Sequence, residues 1–264
     1  MPDVYLTIAT ADADVQERLA EILELRATDP DQRAMLERYT GDLELREDAG
    51  VLEVGCGTGP VSRYLATLPG VGSVVGIDPS PVFIEHARAL ADDPRLAFHV
   101  GDAQELPLPD ASFDFVVFHT VLCHVERVEQ ALAEAYRVCR PGGTLAVFDG
   151  DYATATVATA ENDPLQACMD ATVEHLVHDP WLVRRLPRLI AEAGFELLRV
   201  DGHAYTTTGS EYMTSIVERG ADALAAAGTI DARTADALKA ETAVRVAEGR
   251  FFGHIAYASA LARR

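Results

Sequence analysis

A single lysine, Lys239, and a single tryptophan, Trp181, stand in a chain of 264 residues. Basic residues are scarce altogether: 22 Lys and Arg face 42 Asp and Glu, for a net charge of −20. Such a field repels nucleic acid phosphates and anionic lipid surfaces, which excludes nucleic acid as a partner. Cysteine is also sparse. Cys56, Cys123, Cys139 and Cys168 include no Cys-x-x-Cys pair, so the spacing supports neither a zinc nor a redox site, and no metal site is expected. Free, buried thiols of a cytoplasmic protein are the expectation. No apolar run approaches the roughly 20 residues that span a bilayer, so membrane insertion is not expected. The opening Met1-Pro2-Asp3 lacks the basic-then-apolar pattern of a signal peptide. Arginine in place of lysine, with heavy alanine use, suits a GC-rich bacterial genome; a salt-adapted acidic surface is the rival reading.

What is present is an ordinary globular composition, 48% hydrophobic and 24% charged, organised around one stretch, Val51-Leu52-Glu53-Val54-Gly55-Cys56-Gly57-Thr58-Gly59. Four residues read as a buried strand. Glycines follow at alternate positions, and Pro60 opens an amphipathic segment with Val61, Tyr64, Leu65 and Leu68 in helical phase. A strand, a glycine turn and a helix N-terminus together hold nucleotide-like ligands, because the turn allows close approach and the helix offers free N–H groups. A dinucleotide fits poorly here. Its fingerprint needs glycine at the sixth position, where this chain has Pro60, which removes an N–H.

Upstream, residues 1–45 read as a helical cap. Val15, Leu19, Ile22, Leu23 and Leu25 form a stripe, and Thr28 or Asp29 caps a second helix over 31–40. Tyr5, Arg26 and Tyr39 in this segment are within reach of a ligand at the sheet edge; helix surface and packing is the stronger reading for them. Downstream, strands over 71–77, 96–100, 113–119 and 144–148 alternate with helices over 79–91 and 126–140. This is the pattern of βαβ units in a doubly wound, parallel α/β sheet. A sixth strand is expected over 195–200, and a last, buried strand over 251–261. Ligands of such sheets lie at the carboxyl ends of the strands, which directs attention to the glycine turn, Asp78, Asp102 and His119-Thr120. Asp78, about 20 residues past the turn, suits a ribose; helix capping is its alternative. Residues 46–264 read as one domain whose segments 151–180 and 209–248 are too long for turns and read as lids.

Five motifs in order, Glu53-Val54-Gly55-Cys56-Gly57-Thr58-Gly59, Gly76-Ile77-Asp78-Pro79-Ser80, Gly101-Asp102-Ala103, Phe113-Asp114 and Arg140-Pro141-Gly142-Gly143, resemble those of class I S-adenosylmethionine (SAM)-dependent methyltransferases. The small-molecule branch that includes the ubiquinone and menaquinone biosynthesis enzymes is the most similar, over about residues 45–150. The resemblance implies a Rossmann-like, mostly parallel sheet of seven strands with an antiparallel last strand. It also implies SAM as cofactor. Glu53, Gly55, Cys56, Gly57 and Gly59 would lie on the methionine side, Asp78 with Pro79 at the ribose, and Asp102 with Ala103 at the adenine. Where the family often carries paired histidines after strand four, this chain has Cys123-His124.

Methyl transfer needs alignment and exclusion of water more than a nucleophile or metal. His124 is the candidate general base, and His119 more plausibly lines the cofactor. Tyr152 and Trp181 are candidate acceptor contacts. His175 and His178, three apart on a lid helix, read as surface. The expected activity is methylation of a small organic metabolite, quinone-like or secondary-metabolite in type. The alternatives are a SAM-binding cyclase or sensor that transfers no methyl, or a nicotinamide-dependent oxidoreductase. A homodimer is compatible with the sequence.

Overall fold

The computed structural model describes residues 3–41, 43 and 45–264. Residues 1, 2, 42 and 44 of the expected N-terminal cap lie outside the described residues.

Seven strands form one sheet: β1 (Ala49–Val54), β2 (Val71–Asp78), β3 (Leu96–Val100), β4 (Phe113–His119), β5 (Cys139–Thr156), β6 (Glu196–Thr207) and β7 (Gly253–Arg263), in the order β3-β2-β1-β4-β5-β7-β6. β1 to β5 pair in parallel; β7 inserts antiparallel to both β5 and β6. That last strand is therefore interior, which explains its apolar residues on both faces.

The sheet carries a core on each side because its strand residues alternate faces. Leu52, Val54, Val116, Phe118, Leu145 and Val147 pack on one side. There α5 (Val128–Val138) presents Val128, Ala131, Leu132, Ala135 and Val138, and α7 (Leu186–Glu192) adds Leu189 and Ile190. Val51, Phe115, Val117, Ala146 and Phe148 pack on the other side, against α2 (Pro30–Thr40), α3 (Pro60–Leu65), α6 (Pro164–Leu176) and α8 (Glu211–Ala226). α4 (Pro81–Ala89) follows β2, and α9 (Ala232–Ala247) is tied to the start of α6 by a buried Arg245–Asp163 pair at 2.6 Å.

α1 (Ala13–Thr28) lies across the carboxyl ends of the strands. Glu24 accepts from Thr58 Oγ1 in the glycine turn (2.5 Å), Gln16 accepts from Ser80 after β2 (2.6 Å), and Arg26 donates to Thr120 after β4. Asp29 caps α2 by accepting from the Asp31 and Gln32 amides.

Several expected boundaries shift. β5 runs to Thr156 rather than stopping at Phe148, because β7 continues to pair beside it. β6 likewise extends to Thr207 along β7. Between α6 and β6 the chain makes a short 3-10 turn, Leu182–Arg184, followed by α7. No helix among the described residues is long and apolar enough to cross a membrane.

Candidate active site

The strand order reverses between β1 and β4, and ligands of open α/β sheets bind at such a switch point. A cavity of about 350 Å³ opens there. Its lining joins the carboxyl ends of β1, β2 and β4 to α1, α6 and α8.

One half is polar and built by the glycine turn. Gly57 has φ of 53°, a left-handed conformation that favours glycine, and a Cβ there would come within 2.7 Å of the Leu23 Cδ1 on α1, which would have to shift. The Gly57 amide donates to Asp78 Oδ2 and the Ser80 amide to Asp78 Oδ1, both at 2.9 Å. Capping of α4 falls to Ser80, whose hydroxyl accepts from the Phe83 amide. Asp78 is thus left with lone pairs on a cavity wall. Burial pushes its carboxyl up to about 6, against the pull of the two amides. Glu53 is buried beneath the turn, bonded to the Ser62 hydroxyl, and burial pushes it up to about 8. Gly55, Cys56, Pro79, Asp102, Ala103 and Gln104 complete this half. The Cys56 thiol is raised well above its usual range by burial and by Asp78 and Glu53, so it stays a thiol. Asp102 is exposed at the rim and accepts from the Gln104 amide. Gly59 does not line the cavity; it is the left-handed residue that starts α3.

The other half is apolar and aromatic, with Tyr5, Ile22, Tyr152, Met169, Val173, Tyr212, Ile216 and Ile255 among its walls. Beneath it Phe148 stacks against His119 (4.7 Å), Tyr257 (5.1 Å) and Tyr39 (5.3 Å). His119 lines the cavity with its Nδ1 2.9 Å from the Tyr39 hydroxyl. Burial, then the Arg26 charge, drive its pKa well below the usual imidazole value, so it is neutral. His124 also lines the cavity, and its Nδ1 lies 2.6 Å from Asp3 Oδ2. Cys123, beside it, is buried, and its amide donates to Asp149.

Sequence reasoning misjudged several positions. Trp181 does not line the cavity: it is 52% exposed, with the Arg184 guanidinium 4.3 Å above its ring. Its aromatic character had suggested a pocket wall, but the 3-10 turn carries it outward. Tyr5 and Arg26, for which ligand contact is the weaker of the two sequence readings, both line the cavity. Arg26 donates to Gln32 Oε1 as well as to Thr120. Their roles depend on where α1 settles, which helical periodicity does not encode. Arg219 and Gln104 carried no sequence signal. His178 lies beyond the end of α6, and its amide donates to Asp3. All four cysteines are free and buried, and no cluster suited to a metal ion occurs among the described residues.

The polar half fits SAM on chemical grounds. A buried carboxylate with open lone pairs suits two vicinal hydroxyls, and the glycine turn leaves room where a side chain would intrude.

Comparison with known proteins agrees. The family described as "Methyltransferase domain" matches residues 52–147. The 27-O-demethylrifamycin SV methyltransferase of Amycolatopsis mediterranei is 40% identical over 120 residues, 44% of this chain and 43% of that protein. The ubiquinone/menaquinone biosynthesis C-methyltransferase of Dinoroseobacter shibae is 42% identical over 103 residues, 38% of this chain and 41% of that protein. The chain spans about half the length of the curated relatives it matches. The SAM-dependent methyltransferase structure from Mesorhizobium loti superposes with a TM-score of 0.58 at 19% identity, covering 90% of this chain and all of that one (100%), which is a likeness of fold. The five motifs and the switch-point cavity agree with the family match, by which residues 52–147 resemble a methyltransferase domain.

Proposed function

We propose that the chain transfers a methyl group from SAM to a small organic acceptor, of quinone-like or secondary-metabolite type. The observation that carries this reading is the joining, in one cavity, of a glycine turn and buried Asp78 to an apolar, aromatic half. Bound SAM would supply a methyl on a sulfonium, an electrophile whose leaving group is already good. The protein's own task is then to bind, align and exclude water.

In this reading Asp78 accepts from the ribose hydroxyls, and Glu53 with Gly55, Cys56 and Gly57 borders the methionine portion. Pro79, Asp102 and Ala103 border the adenosine. Gly59 acts indirectly, by shaping the turn. Arg26, tethered to Thr120 next to the turn, suits the cofactor's carboxylate. His119, neutral and stacked, closes the floor. His124 is the candidate base, and Tyr152 with the walls from α6 and α8 encloses the acceptor. Segments 1–45, 151–180 and 209–248 serve as cap and lids over one domain, 46–264. Buried free cysteines and the bacterial origin of the two relatives above support a cytoplasmic bacterial enzyme. The relatives' acceptors support a small molecule, and the net charge of −20 disfavours nucleic acid.

Calorimetry tests the cofactor. S-adenosylhomocysteine should bind and raise the melting temperature, and NAD should do neither. Binding of NAD in its place would overturn the reading. Methyl-labelled SAM then separates transfer from use of the cofactor without transfer: the label should appear in the acceptor.

A further inference from the structure

Arg219, on α8, lines the apolar half of the cavity. Its Nη1 is buried and has no hydrogen-bond partner among the described residues. Its Nε reaches only the Ser215 carbonyl of its own helix, at 3.4 Å. A buried guanidinium N–H without an acceptor is costly, because desolvation is not repaid. This chain is well supplied with acceptors, having 42 acidic residues against 22 basic ones. Arg245 shows the ordinary solution: it is buried and paired with Asp163 at 2.6 Å and Glu241 at 2.8 Å. Arg219 lacks any such partner at Nη1 and faces a cavity.

A second guanidinium shares that cavity. Arg26 is bonded to the neutral groups of Gln32 and Thr120, and lies 5.6 Å from the Tyr212 ring centroid. Tyr5 senses both cations: burial raises its hydroxyl pKa, while the Arg219 charge, a side-chain hydrogen bond with Arg219 and then the Arg26 charge pull it the other way; the Tyr5 hydroxyl is a neutral partner and leaves Arg219 Nη1 without an acceptor. The two charges therefore converge on one region that otherwise presents Met169, Val173, Ile216 and Tyr212. Positive charge inside an apolar pocket of a strongly acidic protein is a recognition feature for an anion.

We propose that Arg219 anchors a carboxylate on an otherwise apolar acceptor, so that the site selects acidic over neutral molecules. This rests on the methyl-transfer reading and names its substrate class. The cofactor's own carboxylate is a competing occupant. Arg26 serves it better, being tied to the residue after β4 beside the glycine turn, whereas Arg219 comes from α8.

Titration calorimetry with benzoate, 2-naphthoate and decanoate, each against its methyl ester, tests this on protein saturated with S-adenosylhomocysteine. At least one acid should bind at least about tenfold more tightly than its ester. Arg219→Met should reduce that preference to about threefold or less, and Arg219→Lys should keep part of it. S-adenosylhomocysteine affinity should be unchanged in both variants. The proposal is overturned if no acid is preferred, if Arg219→Met keeps the preference, or if cofactor affinity falls tenfold in that variant. Failure of the wild type to bind S-adenosylhomocysteine would instead sink the methyl-transfer reading; the acid–ester comparison, run without cofactor, would still decide the anchor.

Discussion

Asp3 and His124, 121 positions apart in sequence, meet with Oδ2 2.6 Å from Nδ1, and the Asp3 side chain is only 2% exposed. Asp3 is itself held by the amides of Tyr5 and His178, both at 2.8 Å. A carboxylate oxygen accepts, so the bond orients the ring with Nδ1 donating to Asp3 and turns Nε2 away from it. This is the arrangement of a base with an orienting partner. His124→Ala should lower turnover at least about a hundredfold with S-adenosylhomocysteine affinity unchanged. Asp3→Asn should lower turnover less. Turnover per folded molecule that survives in His124→Ala would reduce His124 to a packing residue.

Asp78 gives a test of the cofactor half. Its carboxylate braces Gly57 and Ser80 while facing the cavity. Asp78→Asn keeps the shape but replaces one acceptor oxygen by a donor. S-adenosylhomocysteine affinity should fall by roughly the 1.5–3 kcal/mol of a charged hydrogen bond. Since ionised Asp78 is the better acceptor and burial pushes it to about 6, wild-type affinity should rise as pH climbs through about 6. Asp78→Asn should lose that rise. An unchanged affinity by calorimetry would remove Asp78 from the site.

How much of this was legible in the sequence differs between strands and cap. Leu52 and Val54 face one core and Val51 the other, so a continuous apolar run at 51–54 marks a strand buried on both faces. The glycine turn and Asp78 announce themselves because backbone geometry and strand-end position are local properties. Arg26, Tyr5 and Arg219 do not, because their positions depend on the docking of α1 and α8. Trp181 was misread for a related reason: residue type suggests a pocket, but a short turn sets the direction. The extension of β5 to Thr156 was equally hidden, since it exists only through pairing with β7, about a hundred residues later in the chain.

The walls from α6 and α8 hang on a backbone contact. A Cβ on Gly220 would stand 1.8 Å from the Cys168 carbonyl oxygen. Nearby, the Thr172 hydroxyl donates to the Ile216 carbonyl at 2.7 Å. Gly220→Ala must push the helices apart, an overpacking strain of about 1–3 kcal/mol. The melting temperature should fall by roughly 3–10 °C. Acceptor binding should suffer more than cofactor binding, because Met169, Thr172, Ile216 and Arg219 move while the glycine turn does not. A variant with unaltered melting would contradict this helix packing.

Glu53 offers a test through pH. Burial raises its carboxyl from the ordinary range to about 8, and that of Asp78 to about 6. Between the unfolded value of about 4 and these folded values, the folded state binds more protons than the unfolded chain. Stability from these groups is thus fully present below about pH 4 and is lost as pH rises through 6 and then 8. Glu53→Gln keeps the shape and an oxygen to accept from Ser62, but cannot ionise. The ligand-free wild type should lose melting temperature between pH 5 and 8.5, and Glu53→Gln should lose less, by about 3 °C or more. Taking the difference between the two proteins removes the self-repulsion of a chain with net charge −20, which both share apart from the one group. Parallel melting profiles across that range would mean that Glu53 is already ionised at low pH, and would place a counter-charge beside it in the folded protein.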